Sequence, residues 1–295
     1  MNTLTSLPVR QKHRIRVAPL LFAAAGICLA AMLVLLRPAA PDAPTFTSLP
    51  SPERDIGGIS YDGSSLWVTV DGGHVIYQLD PASGAIRKKI PFLEKTAGGS
   101  AWDGRRLWQL AWESKRIYQV DVNSGEVRSA FPSPGHGMCS GMTFDGAYLW
   151  LANFEDRKIY QIDQNHGGAV LRGIPGLHES AGLAWDGKYL WEGILVGAES
   201  HDDAPEAGFF RQRDLGSLQT RAVIPLPGIG PGTSDWLPGQ GRAHRFWWYD
   251  GLHNTLVRVD LPAARPEWPY GVAVIAFVVA LTAALVDRSV SGSIA

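Results

Sequence analysis

The middle of the chain repeats one pattern of apolar and polar positions four times. Each copy is a short run of small and apolar residues, an Asp-Gly pair, and a second apolar run that begins with Leu-Trp. The copies span residues 58–67, 99–108, 141–150 and 182–191, and their Asp-Gly pairs start at positions 62, 103, 145 and 186. Self-similarity at 41 or 42 residues indicates a repeat architecture.

One repeat contains the signals for four short strands. Asp-Gly is a preferred pair for the two-residue type I′ hairpin turn, in which both residues have positive φ, and we predict that turn at each pair. A strand such as residues 66–69 follows, and then a third strand with the pattern Ile-Tyr-Gln. A turn such as residues 80–84 leads to a fourth strand, such as residues 85–90. Four antiparallel strands per repeat predict a propeller blade.

A fifth, degenerate copy occupies residues 245–249 and 255–260 and ends after its third strand. Residues 45–52 precede the first copy and are similar to a fourth-strand ending at residues 129–134. We therefore predict that the N-terminal strand completes the last blade and removes its open edge. The predicted fold class is all-β, a five-bladed β-propeller of four-stranded antiparallel blades. The repeated tryptophans and tyrosines are interpreted as core residues between blades.

Two apolar segments flank the repeats. Residues 17–36 contain no charged side chain and, as a helix, would span about 30 Å, the thickness of a bilayer's hydrocarbon core. Four basic residues between positions 10 and 16 precede this segment, so the positive-inside rule predicts a cytoplasmic N-terminus. Residues 271–286 are predicted to form a second span, with Trp268 and Tyr270 in the interfacial belt.

Two alternatives to these spans remain open. The first segment also fits a cleaved signal peptide with a cleavage site near Ala39-Ala40, although its apolar run is longer than usual. The second segment also fits a buried apolar helix of the globular domain.

These predictions divide the chain into seven parts. The parts are a cytoplasmic basic N-terminus (1–16), a transmembrane helix (17–36), a Pro/Ala linker (37–44), the propeller (45–262), a linker (263–270), a second transmembrane helix (271–286) and a cytoplasmic tail (287–295).

Composition excludes several classes of protein. The 295 residues include 27 basic and 28 acidic side chains, a net charge of −1, which argues against nucleic-acid binding. Of the 2 cysteines, Cys28 lies in the first predicted span and Cys139 in the exported region, so they cannot pair. The sequence contains no phosphate-binding loop, no Gly-x-Ser-x-Gly elbow and no His-Glu-x-x-His pair. We therefore predict no cofactor and no metal.

The repeats resemble those of streptogramin-lyase and NHL-type propellers, and also the five-bladed glutaminyl cyclotransferases of the plant and bacterial type. The second resemblance is best at residues 107–113, Leu-Trp-Gln-Leu-Ala-Trp-Glu, which are similar to the family's Leu-Tyr-Gln-Leu-Thr-Trp-Lys segment. The family carries an acid in its first blade, where this chain has Val68. A carboxylate at the matching place occurs only in the fourth repeat, as Glu192. The resemblance implies Glu192 as a displaced catalytic acid/base; the alternative is a charged rim residue.

Loops between blades, and between the second and third strands of a blade, meet on one face of a propeller. We expect the ligand- or partner-binding residues on that face: Glu94, Trp112, Glu113, His136, Asn153, Phe154, Glu155, His178, Glu179, His201 and Asp202. The acidic insertion 196–208, with Glu199, Asp203 and Glu206, matches no defined metal loop and is interpreted as solvated. Cys139 beside His136 offers a thiol–imidazole pair, but no third group that would orient it is evident.

The predicted function is that of a binding or scaffold subunit. The propeller would lie on the periplasmic side of a bacterial inner membrane, anchored in the lipid bilayer by two helices with both termini in the cytoplasm. Its partner would be a periplasmic protein or an integral membrane complex. The alternative is an enzyme at the channel mouth, with glutaminyl cyclotransferase-like or lyase chemistry.

Overall fold

The computed structural model describes residues 43–111, 113–137, 139–177, 180–196, 207–226, 232–234, 236–239 and 241–261. In these residues no helix has the length and apolar character needed to cross a bilayer. The predicted membrane segments 17–36 and 271–286 lie outside the described residues.

The described residues form twenty β-strands. They are β1 Thr45–Pro50, β2 Ile56–Tyr61, β3 Leu66–Val70, β4 Val75–Leu79, β5 Ile86–Pro91, β6 Thr96–Trp102, β7 Leu107–Ala111, β8 Arg116–Val120, β9 Val127–Pro132, β10 Cys139–Phe144, β11 Leu149–Asn153, β12 Lys158–Asp163, β13 Ala169–Pro175, β14 Ser180–Trp185, β15 Leu190–Val196, β16 Ala207–Arg213, β17 Thr220–Leu226, β18 Gly232–Ser234, β19 Arg245–Asp250 and β20 Thr255–Asp260.

These strands pair into five four-stranded antiparallel sheets, which confirms the predicted five-bladed propeller. Blades one to four are β2–β5, β6–β9, β10–β13 and β14–β17, each in sequence order. Blade five has the order β1-β20-β19-β18. The innermost strands are β2, β6, β10, β14 and β18, and the outermost are β5, β9, β13, β17 and β1.

The predicted closure of the ring is also confirmed. Strand β1 pairs with β20 in a continuous register from Thr45 opposite Asp260 to Pro50 opposite Thr255. Leu49 on this strand is buried in a cluster with Trp247 of blade five and Ile59 of blade one. The first strand therefore completes the last blade and also packs in the seam between the last blade and the first.

The predicted type I′ turns are wrong. Only the glycine of each Asp-Gly pair has positive φ, between 92° and 100°, and the loop has four residues rather than two. In blade three, Asp145 N–H donates to the Tyr148 carbonyl at 3.1 Å, and Asp145 Oδ1 accepts from the amides of Ala147 and Tyr148 at 2.9 and 2.8 Å. The Asp145 carboxylate thus accepts hydrogen bonds from the amide groups of the loop. These bonds fix the four-residue loop, which does not need the backbone geometry of a two-residue turn.

The other oxygen of each turn aspartate holds the tryptophan of the next strand. Trp150 Nε1 donates to Asp145 Oδ2 at 2.7 Å, and the equivalent bonds in blades one, two and four are 2.7, 2.8 and 2.7 Å. The four tryptophans are at most 3% exposed, as expected for the predicted core between blades. Each of these buried indole N–H groups therefore has a side-chain acceptor, which avoids the free-energy cost of burying an unpaired donor.

The inner strands approach one another so closely that they require small residues. A Cβ on Gly141 of β10 would lie 2.6 Å from the Cα of Gly182 on β14. Ser60 and Ser100, on the inner strands of blades one and two, join their hydroxyl groups at 2.8 Å. At these points the inner strands therefore meet through backbone and small side chains rather than through large apolar ones.

Antiparallel strand order gives the ring two faces. Loops between the first and second strands and between the third and fourth strands lie on one face, which we call the turn face. Loops between the second and third strands and between blades lie on the opposite face, which we call the rim face. Strand β1 begins and β20 ends on the turn face, where Thr45 is opposite Asp260.

Residues 236–239, which we call the connector, follow β18 and contact all four Asp-Gly turns on the turn face. A Cβ on the turn glycines would lie 2.8 Å from Leu237 at Gly63, 3.4 Å from Pro238 at Gly104, and 3.1 and 2.6 Å from Trp236 at Gly146 and Gly187. Trp236 also packs edge-on against Trp185, with ring centroids 6.5 Å apart. Because these turns surround the axis, the connector covers the end of the axis on the turn face.

Replacing Gly141 by Ala is expected to lower the free energy of unfolding by about 1–3 kcal/mol, because the new methyl group meets backbone that cannot move aside. Urea unfolding measures this change. Gly241→Ala is the control, because Gly241 has no atom within 4 Å of the new Cβ. Equal stability of the two variants would contradict the close packing of the inner strands.

Candidate functional site

The structure describes six of the eleven predicted binding-face residues. Glu94, Glu113, His136, Phe154 and Glu155 lie in rim-face loops, and Asn153 ends strand β11 at the same face. The other five lie outside the described residues: Trp112, His178, Glu179, His201 and Asp202. The same holds for most of the acidic insertion.

A tyrosine–carboxylate bond recurs at the rim face of blades one to three. Tyr77, Tyr118 and Tyr160 occupy the same position of the third strand. Their hydroxyl groups donate to Glu53 at 3.0 Å, to Glu94, and to Asp156 at 2.7 Å respectively. Each bond ties a strand of the blade to a rim-face loop, so Glu94 acts first as an anchor of its own loop.

The hydrogen bonds that anchor the Glu94 loop also lower the pKa of Glu94. Burial raises its pKa, but hydrogen bonds from Ser114 and Tyr118 outweigh burial and hold the pKa below the usual range. Burial and the bond to Glu94 raise the pKa of Tyr118. The pair therefore remains a neutral phenol donating to a carboxylate at neutral pH.

Asn153 and Asp156 organise the rim-face loops of blade three. Asn153 Nδ2 donates to the His136 carbonyl at 2.9 Å, and Asn153 Oδ1 accepts from Asp156 N–H at 2.8 Å. Asp156 Oδ2 accepts from His136 N–H at 3.0 Å. The hydrogen bond from Tyr160 and the one from His136 lower the pKa of Asp156. The imidazole of His136 is 95% exposed, with Nδ1 3.4 Å from Asp156 Oδ1.

Cys139 does not form a thiol–imidazole pair in this arrangement. Its Sγ accepts from Asn153 Nδ2 at 3.5 Å, while the His136 ring faces Asp156. Burial raises the pKa of the Cys139 thiol to about 11, so the thiol is protonated at neutral pH. Cys139 is therefore a small buried core residue.

Two predicted acids keep their carboxylates at the surface. Glu113 pairs with Lys95 at 3.3 Å, and both side chains are exposed. The Glu155 carboxylate lies over Gly137, where a Cβ would overlap it. These two acids and the His136 ring are exposed in the described rim-face loops, which also carry exposed basic residues such as Lys95 and Arg157. Among the described residues there is no group of three potential metal ligands.

Glu192 is not the exposed rim charge of the alternative interpretation, because its side chain is 0% exposed. Its Oε2 accepts from Arg211 at 2.5 Å and from Arg213 at 3.3 Å, and its Oε1 accepts from the Leu177 amide at 3.1 Å. Arg213 also donates to the Pro175 carbonyl at 2.6 Å. Burial lowers the pKa of Arg213 and the Glu192 carboxylate opposes that shift. A carboxylate closed to water between two guanidinium groups is poorly suited to proton transfer with a substrate.

We did not predict Arg211 and Arg213 as site residues from the sequence, although the repeat contains a signal for them. In blade one the positions of Glu192, Arg211 and Arg213 are Val68, Tyr77 and Leu79. Blade four therefore replaces an apolar-aromatic set by three charges, and only there does the repeat place charge at all three positions. We call Glu192, Arg211 and Arg213 the triad; it lies at the seam where blade four meets Pro175 at the end of β13 and Leu177 in the loop that follows.

No protein-family model matches the chain, and no curated protein matches it significantly. The solved structure of Myxococcus xanthus glutaminyl cyclase is similar, with a TM-score of 0.58 and 15% identity over 74% of this chain and 97% of that chain. The structure of Kuenenia stuttgartiensis hydrazine synthase has a TM-score of 0.42 and 17% identity, over 75% of this chain and 70% of that chain. The structure of U3-55K has a TM-score of 0.46 and 12% identity, over 73% of this chain and 98% of that chain. The likeness is one of fold. At 15% identity, the glutaminyl cyclase supports the β-propeller architecture alone.

Glu192→Gln is expected to lower the free energy of unfolding by about 3 kcal/mol, because it leaves the buried Arg213 and the partly buried Arg211 without a counter-charge. The matched variant changes all three triad residues to those of blade one, Glu192→Val with Arg211→Tyr and Arg213→Leu. It is expected to be as stable as the wild type or up to about 4 kcal/mol more stable. Urea unfolding measures both. A single variant as stable as the wild type would refute the structural role of Glu192.

Asp156→Asn is expected to weaken the dependence of stability on acid pH. Because the folded pKa of Asp156 is lowered, its carboxylate stabilises the fold above the unfolded pKa of about 3.9, and this contribution is lost as pH falls through the folded pKa. The urea midpoint of the wild type should therefore fall more steeply between pH 6 and pH 3 than that of the variant. Glu155→Gln, which removes an exposed acid from the same loop, is the control, and an Asp156→Asn curve that does not differ from the wild-type curve would contradict this role of Asp156.

Proposed function

We propose that the chain is a membrane-anchored binding or scaffold subunit. Its propeller lies on the periplasmic side of a bacterial inner membrane and docks a periplasmic protein or a membrane-complex partner through the rim face. The observation that carries this proposal is that the rim-face acids have two different roles. Glu53, Glu94 and Asp156 hold loops in place, while Glu113 and Glu155 present carboxylates at the surface.

A rim built this way supports binding because its loops are already ordered. Three tyrosine–carboxylate bonds and the Asn153 bridge fix the described loops of blades one to three before any partner arrives. Ordered loops reduce the entropy that association must overcome. Glu113 and Glu155 offer exposed carboxylates that can accept hydrogen bonds from basic or amide groups of a partner.

The two faces of the ring differ in a way that supports the same proposal. The connector covers the axis on the turn face, and strand β1 begins and strand β20 ends there, at Thr45 and Asp260. The rim face is therefore the face to which we assign the partner.

An enzyme of the cyclotransferase or lyase type is the second candidate. Its support is the fold of Myxococcus xanthus glutaminyl cyclase and the carboxylate of Glu192 in blade four. Against it stand the complete burial of Glu192 and its two guanidinium partners. We therefore favour the binding role.

Reversing charge on the rim face should remove the partner. Glu113→Arg with Glu155→Arg is expected to reduce the co-purified partner by about tenfold or more, because like charges then face each other across the interface. The full-length chain is solubilised in mild detergent, and co-purified proteins are quantified by mass spectrometry. Arg105→Glu with Lys188→Glu is the matched control, because both residues lie in exposed loops of the turn face.

Two results would contradict the binding role. One is a wild-type chain that purifies with no reproducible partner, or with a partner that both double variants retain equally. The other is turnover of a peptide with N-terminal Gln that Glu192→Gln abolishes while the variant stays folded, which would replace the binding role by the enzyme.

A further inference from the structure

Blade four breaks the tyrosine–carboxylate arrangement of the other blades at its rim-face end. Arg211 stands at the strand position of Tyr77 and Tyr118, since Glu192 is opposite Arg211 as Val68 is opposite Tyr77. In blades one and two the loop before the inner strand supplies the carboxylates of Glu53 and Glu94. The equivalent loop position before blade four, five residues ahead of the inner-strand glycine, is Leu177. Blade four therefore has Arg211 in place of the tyrosine and Leu177 in place of the loop glutamate.

The charges of the triad do not balance. Two guanidinium groups share a single carboxylate oxygen, Glu192 Oε2, and Glu192 Oε1 is taken by the Leu177 amide. The triad therefore carries one net positive charge in a largely buried seam. Arg211 Nε is buried and has no hydrogen-bond partner among the described residues. Buried guanidinium groups are normally matched by carboxylates, so the triad is short of one anion.

Arg211 is the member of the triad that a solute can reach. Its side chain is 18% exposed, compared with 6% for Arg213 and 0% for Glu192. The planar guanidinium group presents paired N–H donors that match a carboxylate, and a desolvated pair of this kind is stronger than one in water.

We propose that the seam of blades three and four at the rim face binds a carboxylate group of a ligand through Arg211. The ligand carboxylate takes the part that Glu53 and Glu94 take in blades one and two. Because the Arg211 guanidinium group bonds Glu192, which in turn accepts from Leu177 in a rim-face loop, this inference rests on the proposed function and names one chemical group of the partner. The carboxylate is either a peptide C-terminus or an acidic side chain.

A titration with acetate tests the site directly. The full-length chain, labelled with ¹⁵N-arginine in detergent micelles, is titrated with sodium acetate against sodium chloride at constant ionic strength. Acetate is expected to shift the Arg211 Nε–H signal saturably, while chloride does not. Arg211→Tyr identifies the signal and removes the response; it leaves Glu192 paired with Arg213 alone, so the charges balance and the fold is retained.

Two further variants sharpen the result. Arg211→Lys keeps the charge but loses the paired donors, and it is expected to weaken acetate-dependent thermal stabilisation by about tenfold in affinity. Arg105→Ser removes an exposed arginine of the turn face and should respond to acetate as the wild type does.

Peptides distinguish the two sources of the carboxylate. A short peptide with a free C-terminus, the same peptide amidated, and an amidated peptide with one internal Glu are compared for displacement of acetate. Displacement by the free peptide alone assigns the C-terminus, and displacement by the amidated Glu peptide assigns an acidic side chain.

Three results would overturn the inference. They are an Arg211 signal that does not distinguish acetate from chloride, an acetate response that persists in Arg211→Tyr, and a Glu179→Gln variant that moves the Arg211 signal as far as acetate does, since the chain's own acid would then meet this charge. The proposed function is judged separately. Loss of the partner on rim-face charge reversal, with no acetate response, leaves the binding role standing and removes only this site.

Discussion

The pairing of β1 with β20 is the contact on which the ring depends. Blade five supplies only three strands of its own, β18, β19 and β20, so without β1 its outer edge would be open. The same strand carries Leu49 into the cluster that also contains Trp247 and Ile59. One pairing therefore completes a sheet and seals the seam between the last blade and the first. The remaining seams join blades that follow one another in sequence and need no such closure.

The sequence was sufficient for the architecture because the repeat is regular. The Asp-Gly period and the fourth-strand likeness of residues 45–52 predicted five blades and their closure, and both are confirmed. The turn type was wrong because Asp145 bonds two amides of its own loop and the Trp150 indole, which a two-residue pattern does not include. The connector was not predicted, because residues 236–239 are not part of the repeated pattern. Its contacts exist only once four turns surround the axis.

The candidate site was predicted less well than the fold. The position of rim-face residues follows from strand order alone, and Glu94 and Asn153 lie where topology puts them. Their roles as anchors depend on partners in other elements. The Tyr118 hydroxyl on β8, for example, donates to Glu94 in the loop between β5 and β6. The burial of Glu192 depends on two cross-strand arginines, and no local pattern around Glu192 contains them. Comparison of repeats, position by position, does reveal them, because charge replaces apolar residues in one blade only.

Closure also sets the order in which the molecule is finished during synthesis. Thr47 and Arg258, which lie side by side across the closing strands, are separated by 211 positions in the chain. The ribosome releases β1 first, and its partner strand emerges only after four blades have been made. Each of those blades pairs neighbouring strands and forms early, whereas the ring joins late and through long-range contacts such as this one and the bond from Asp55 N–H to the Tyr249 hydroxyl. Until β20 emerges, β1 has no partner strand, so its backbone hydrogen-bonding groups stay unpaired through most of translation.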